Sequence, residues 1–172
     1  TADKSRLGGN ALLGVSLAFA RAAASEQGVE LYKYFGNLAG NIAFVMPMPM
    51  FNLINGGKHA KNSIAIQECM LVPTGFKNMQ ECVGAAVTCV AALKKILEEK
   101  GYGTAMGNEG GFAPALKNND EALDILVSAV ERAGYAGKIK IALDVAASSY
   151  NNFDKEKMFA WYAAILKKYP SM

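Results

Sequence analysis

Glu68, Glu109, His59 and Asp144 each join a reactive side chain to a restrictive setting. Glu68 lies in IAIQECMLV, where alternation puts Ile64, Ile66, Glu68, Met70 and Val72 on one strand face. An ionised carboxylate in an apolar row costs on the order of several kcal/mol unless it is paired or stays protonated. The plain structural alternative is a strand-end glutamate paired with a lysine. Glu109 sits in GNEGGFAP, where flanking glycines allow sharp turns and close ligand approach; a solvated loop glutamate is the alternative. His59, the only histidine, follows Asn55-Gly56-Gly57-Lys58 and opens a second glycine loop. A lone imidazole is also a common satisfied polar group. Asp144 ends a period-2 segment, and in parallel barrels the C-terminal strand ends carry the chemistry. A helix cap or turn aspartate is equally open there. Together, three carboxylates and an imidazole beside strand ends and glycine loops suit metal-assisted acid–base chemistry on an anionic substrate.

Elements must hold these groups. Asn10 can cap a helix running to about Ser25, with Leu13, Leu17 and Ala20 on one face and Gly28 as its stop. Leu31 to Phe35 is a short apolar patch, and Gly36 to Asn41 is loop-like. Val45 to Ile54 reads as an extended segment whose prolines, Pro47 and Pro49, confine its first half to a strand start or an edge. Ile64 to Val72 is a second strand. Met79 to Lys100 is a long helix with Cys82, Ala86, Cys89, Val90, Leu93 and Leu97 as its stripe, ended by Gly101. Asn118 and Glu121 resemble a capping box for a helix to Ala133, stopped by Gly134. Lys138 to Val145 is a third strand, and Lys157 to Tyr169 is helical before Pro170. Helices interleaved with strands predict an α/β fold, with a domain boundary near Ala43.

Composition narrows the function classes. With 52% hydrophobic and 19% charged residues, the chain is not a disordered segment. The longest mostly apolar stretch, Ala11 to Ala24, contains Ser16 and Arg21 and is shorter than the roughly 20 residues that cross a bilayer, so no membrane span is expected. The same stretch imitates a signal peptide, but its alanine-rich texture reads as a packed helix. The net charge of +3 is spread over single or paired lysines, without the cationic cluster that nucleic acid requires. Cys69, Cys82 and Cys89 contain no C-x-x-C spacing and read as buried free thiols of a reducing cytoplasm. Gly101, Gly103 and Gly107 follow a helix at the wrong spacing for a dinucleotide fingerprint.

Five collinear stretches carry a family resemblance: SRLGGNALLGVSL from Ser5, MPMFNLINGGKHAKN from Met48, Gln67-Glu68, GNEGGFAP from Gly107 and IALDVAAS from Ile141. The chain resembles enolase, phosphopyruvate hydratase, over nearly all its length. The resemblance implies the opening portion of an enolase-type modified (β/α) barrel (44–172), preceded by the helical tail of the N-terminal α+β domain (1–43). It implies magnesium-dependent dehydration of 2-phosphoglycerate to phosphoenolpyruvate in glycolysis and the reverse in gluconeogenesis, by a cytoplasmic homodimer. Carried over by motif, Glu109 is the acid for the departing hydroxyl and Glu68 cooperates with it. His59 closes over the phosphate end, Gln67 joins His59 and Glu68 in binding substrate, and Asp144 ligates magnesium. The superfamily pairs a lysine or histidine base with magnesium ions.

The sequence also departs from the family pattern. Asn108-Glu109 stands where Asp-Glu is usual, Cys69 where phenylalanine is usual, and Ser149-Tyr150 where Glu-Phe is usual. Enolases are longer. Their base lysine and other two carboxylate ligands are expected beyond Met172, and their serine-bearing lid before Thr1. The 172-residue chain alone is therefore expected to be inactive. Three strands cannot close a barrel, so exposed sheet edges are also expected. The alternative is a truncated, non-catalytic enolase-like binding or structural module. A weaker one is an assembly in which another chain supplies the missing groups.

Overall fold

The computed structural model describes residues 2–41, 43–107, 109–147 and 154–172. The departures at Asn108, Ser149 and Tyr150, and the end of the IALDVAAS stretch at Ser148, lie outside the described residues. The chain divides into two compact units, Thr1–Pro47 and Met48–Met172.

In the first unit, α1 (Gly9–Glu26) packs on α2 (Leu31–Leu38) through a small cluster of Ala20, Ala24 and Tyr34. Asn10 does not cap α1. The helix starts two residues earlier, at a Gly8 cap with no side-chain bond, so Asn10 lies inside the first turn. Its far end is as expected: Gly28 N donates to Ser25 O (3.1 Å) and Val29 N to Ala24 O (3.0 Å), the paired bonds of a Schellman stop. The expected passage from apolar patch to loop at Gly36 comes later: Leu31–Leu38 is one helix, α2, and the loop begins at Ala39. Gly36 is tolerated inside the helix because the Phe44 ring packs on the space where a Cβ would stand.

In the second unit, β1 (Phe51–Asn55), β2 (Glu68–Val72) and β3 (Lys140–Asp144) form a sheet of that order. The remaining elements are α3 (Met79–Glu99), α4 (Asn119–Arg132) and α5 (Lys155–Lys168). Both ladders are antiparallel, not the parallel or nearly parallel pairing expected of a barrel. Connectivity explains this. The β1–β2 link contains no long helix, which limits it to a reversal. From β2, α3 leads the chain away and α4 leads it back, so β3 starts at the end where β2 stops.

The prolines keep 45–50 out of β1, which begins only at Phe51. Likewise Ile64 and Ile66 precede β2, buried in its entry loop. On β2 the buried side chains are Cys69 and Leu71, while Glu68, Met70 and Val72 are half-buried on the opposite face. Of the row expected around Glu68, Met70 and Val72 share its face, whereas Ile64 and Ile66 fall outside the strand. Cys69 and Leu71 join one core with Ile54, Leu93, Leu97, Leu123, Leu126 and Ile141.

The outer strands are not bare. Phe112 forms a parallel bridge to Ile54 on β1, its N–H donating to Leu53 O while its carbonyl accepts from Asn55 N, both at 2.8 Å. On β3, Ile141 N donates to Ser171 O (2.9 Å). Arg132 ties α4 to α3 through two bonds to the Glu99 carboxylate (2.8 and 2.9 Å). α5 is tied to α4 by Tyr169 Oη donating to Asp124 (2.6 Å) and Trp161 Nε1 to Asp120 (3.2 Å).

Candidate active site

The sheet register places the polar groups. Asn55 pairs with Glu68 and Glu68 with Asp144, so one cross-strand row carries all three on the same face at one end of the sheet. The next row, Ile54, Cys69 and Leu143, faces the other way. A bulge at Leu53 lets β1 hold this register.

Two loops converge on that row. Gly57–His59 makes one turn of 3-10 helix, with His59 N donating to Gly56 O (2.9 Å) and Gly57 N to Ile64 O (2.8 Å). The glycine loop folds back on itself: Gly107 N donates to Gly111 O (2.9 Å) and Ala113 N to Ala105 O (2.8 Å). That leaves Glu109 at the tip. Gly110 and Gly111 have φ of 78° and 69°. A Cβ on Gly111 would also stand 2.9 Å from Asn52 O, so glycine there meets both a conformational and a space requirement.

His59 sits between two carboxylates. Its Nδ1 lies 3.4 Å from Glu68 Oε1, and its Nε2 lies 3.7 Å from Glu109 Oε1. The Glu68 approach is a close contact without hydrogen-bond alignment, since Nδ1 is buried and has no hydrogen-bond partner among the described residues. The side chains of His59 and Glu68 are 17% and 18% exposed, whereas that of Glu109 is 59% exposed. A neutral imidazole can donate through one nitrogen only; imidazolium donates through both. The arrangement thus suits moving or sharing a proton between two acids, of which Glu109 is the more exposed. Among the described residues, Glu68 lies against this histidine and forms no ion pair with a lysine.

Asp144 stands apart from that trio. It is exposed, and its Oδ1 accepts from Ala146 N (2.8 Å) across a turn in which Ala146 has φ of 47°. The turn-aspartate reading therefore describes its contact. Gln67 is half-buried, and its backbone N donates to Asp144 O (3.1 Å).

The candidate ligand atoms of His59, Glu68 and Glu109 all lie within 4.8 Å of one another, the one such group among the described residues. Magnesium prefers six oxygens, usually one or two carboxylates completed by water and substrate phosphate. Asp144 offers one carboxylate oxygen of that kind, Oδ2, not engaged in its turn. The nitrogen-containing trio fits magnesium less well.

Sequence reasoning assigned no role to Asn55 or Asn62. Asn55 is fully buried, its Oδ1 accepting from Asn52 Nδ2 (2.6 Å) and its Nδ2 donating to Gly110 O. Asn62 Nδ2 donates to Asn55 O (2.9 Å) and Pro114 O (3.0 Å). A polar residue inside the apolar run FNLIN was the available signal.

Among the described residues, no helix is long and apolar enough to cross a membrane. Residues 43–170 match the family described as enolase, C-terminal TIM barrel domain, and residues 1–35 match enolase, N-terminal domain.

Proposed function

The chain belongs to the enolase family, a family of lyases, and from that membership we propose that it carries part of the site that dehydrates 2-phosphoglycerate to phosphoenolpyruvate. Residues 1–43 are then the end of the N-terminal domain and 44–172 the first part of the barrel. The observation that carries the reading is His59 held between Glu68 and Glu109 on two glycine loops.

The reaction breaks the C2–H and C3–O bonds of the substrate and releases water. In this reading Glu109, the more exposed acid, delivers a proton to the departing 3-hydroxyl. Glu68, held beside His59, supports that protonation state. His59 and Gln67 line the substrate side, with His59 closing over the phosphate. Asp144 would hold magnesium through its free oxygen. When bound, the ion supplies positive charge that acidifies the proton next to the substrate carboxylate. The removal of that proton is assigned to a lysine outside these 172 residues, so the chain alone binds substrate without turning it over. The three free, buried thiols support a reducing cytoplasmic setting. A homodimer follows from the family likeness alone.

The test is phosphoenolpyruvate formation by the purified chain with 2-phosphoglycerate and magnesium, beside NMR of the His59 imidazole. We expect no turnover and a substrate-dependent His59 shift. Turnover abolished by Glu109→Gln would keep the acid and overturn the inactivity. Turnover indifferent to that substitution would overturn the role of Glu109. Absence of both turnover and shift would overturn the substrate site.

A further inference from the structure

We propose that Asn55 is the positioning residue that holds Glu109 in front of His59. Asn55 is the sole buried polar or charged residue among those described, at 0% exposure. Its side chain does not face an empty pocket. The amide nitrogen Nδ2 donates to Gly110 O, the carbonyl next to Glu109, and Oδ1 accepts from Asn52 Nδ2 at 2.6 Å. Its backbone N donates to Phe112 O at 2.8 Å, and its backbone O accepts from Asn62 Nδ2 at 2.9 Å. All four polar groups of the residue are therefore engaged.

Those bonds reach both loops. Gly110 and Phe112 belong to the loop that carries Glu109. Asn62 belongs to the loop that carries His59, and it also binds Pro114 O at the exit of the first. Packing enforces the same junction: a Cβ on Gly107 would stand 2.5 Å from Asn55 Nδ2 and 3.2 Å from His59 O. The two loop bases are thus joined through one amide, while the reactive side chains project from their tips.

Glu109 needs such a tie because little else fixes it. Its side chain is 59% exposed and its one contact to His59 spans 3.7 Å, so the carboxylate's place depends on the backbone beneath it. A buried amide also suits the task chemically. It donates to a carbonyl and accepts from a neighbour without a charge whose burial would be costly. Asn55 touches neither substrate nor reacting atoms in this arrangement; it acts through Gly110. Naming Glu109 as the acid rests on the function proposed above, whereas the physical tie does not.

The experiment is a double-mutant cycle on the 172-residue chain, read from the two imidazole nitrogens of His59 by 15N NMR. Glu109→Gln should shift Nε2 in the native background and leave it unmoved in the Asn55→Ser background. Glu68→Gln should shift Nδ1 in both, because Glu68 is held by β2. Native protein should also show a through-hydrogen-bond cross-peak between Asn55 Nδ2 and the Gly110 carbonyl, which requires no substitution. Should Asn55→Ser fail to fold, Asn55→Asp keeps the shape while removing the amide donor, and the same loss is expected at neutral pH. An equal Nε2 response in both backgrounds would overturn the proposal, as would a missing cross-peak. Loss of both nitrogen responses would do so too, since it would mark general loosening. If the cycle holds and 2-phosphoglycerate with magnesium leaves both His59 nitrogens unmoved, the function falls and the tie stands.

Discussion

Glu68 and Glu109 carry the same functional group in different surroundings. Glu68 is 18% exposed and held on a strand, whereas Glu109 is 59% exposed on a loop tip. Away from the site, Tyr169 shows how one buried group makes stability depend on pH. Burial first, then its hydrogen bond to Asp124, pushes its phenol up to about 12. Its contribution is fully present below the ordinary tyrosine value of about 10 and is lost as pH rises toward the folded value. Thermal unfolding should therefore show the native chain losing on the order of 2 kcal/mol across that interval, a loss that Tyr169→Phe removes. Parallel pH profiles for the two proteins would refute this.

Helix ends were readable because their signals are local. The Asn118 side chain accepts from Glu121 N at 2.9 Å, as the spacing implied. Glu121 does not return the bond to Asn118; it takes Lys117 N (2.8 Å) and the Tyr102 hydroxyl (2.7 Å), pinning α4 to the turn after α3. Asn118→Ala should cost about 1 kcal/mol and lower the thermal midpoint by about 2–4 °C. An unchanged midpoint would mean that water or Glu121 replaces the cap. Gly101 and Gly134 stop α3 and α4 with the same pair of bonds that ends α1. The expectation failed where a distant side chain decided the outcome. Gly36 reads as a loop residue until Phe44 packs against it.

The whole molecule separates its cores. Ala20, Ala24 and Tyr34 form one cluster, and the buried members of the larger one run from Leu53 to Tyr169. A chain of Met48–Met172 is therefore expected to fold cooperatively and to keep the His59 resonances of the full chain, checked by thermal unfolding and NMR. Loss of the cooperative transition would show that the first unit supports the second. The sequence alone determined the α/β alternation, the helix stops, and the identity of His59, Glu68, Glu109 and Asp144 as the groups of interest. These follow from periodicity, capping chemistry and motif, all of which act over a few residues. Tertiary structure decided which of them meet. Antiparallel register aligned Asn55, Glu68 and Asp144 in one row, and two loops distant in sequence brought His59 and Glu109 together. It also made Asp144 the acceptor in its own turn and gave Asn55 its buried junction. Pairing of this kind depends on strands and loops far apart along the chain, so no short window of sequence contains it.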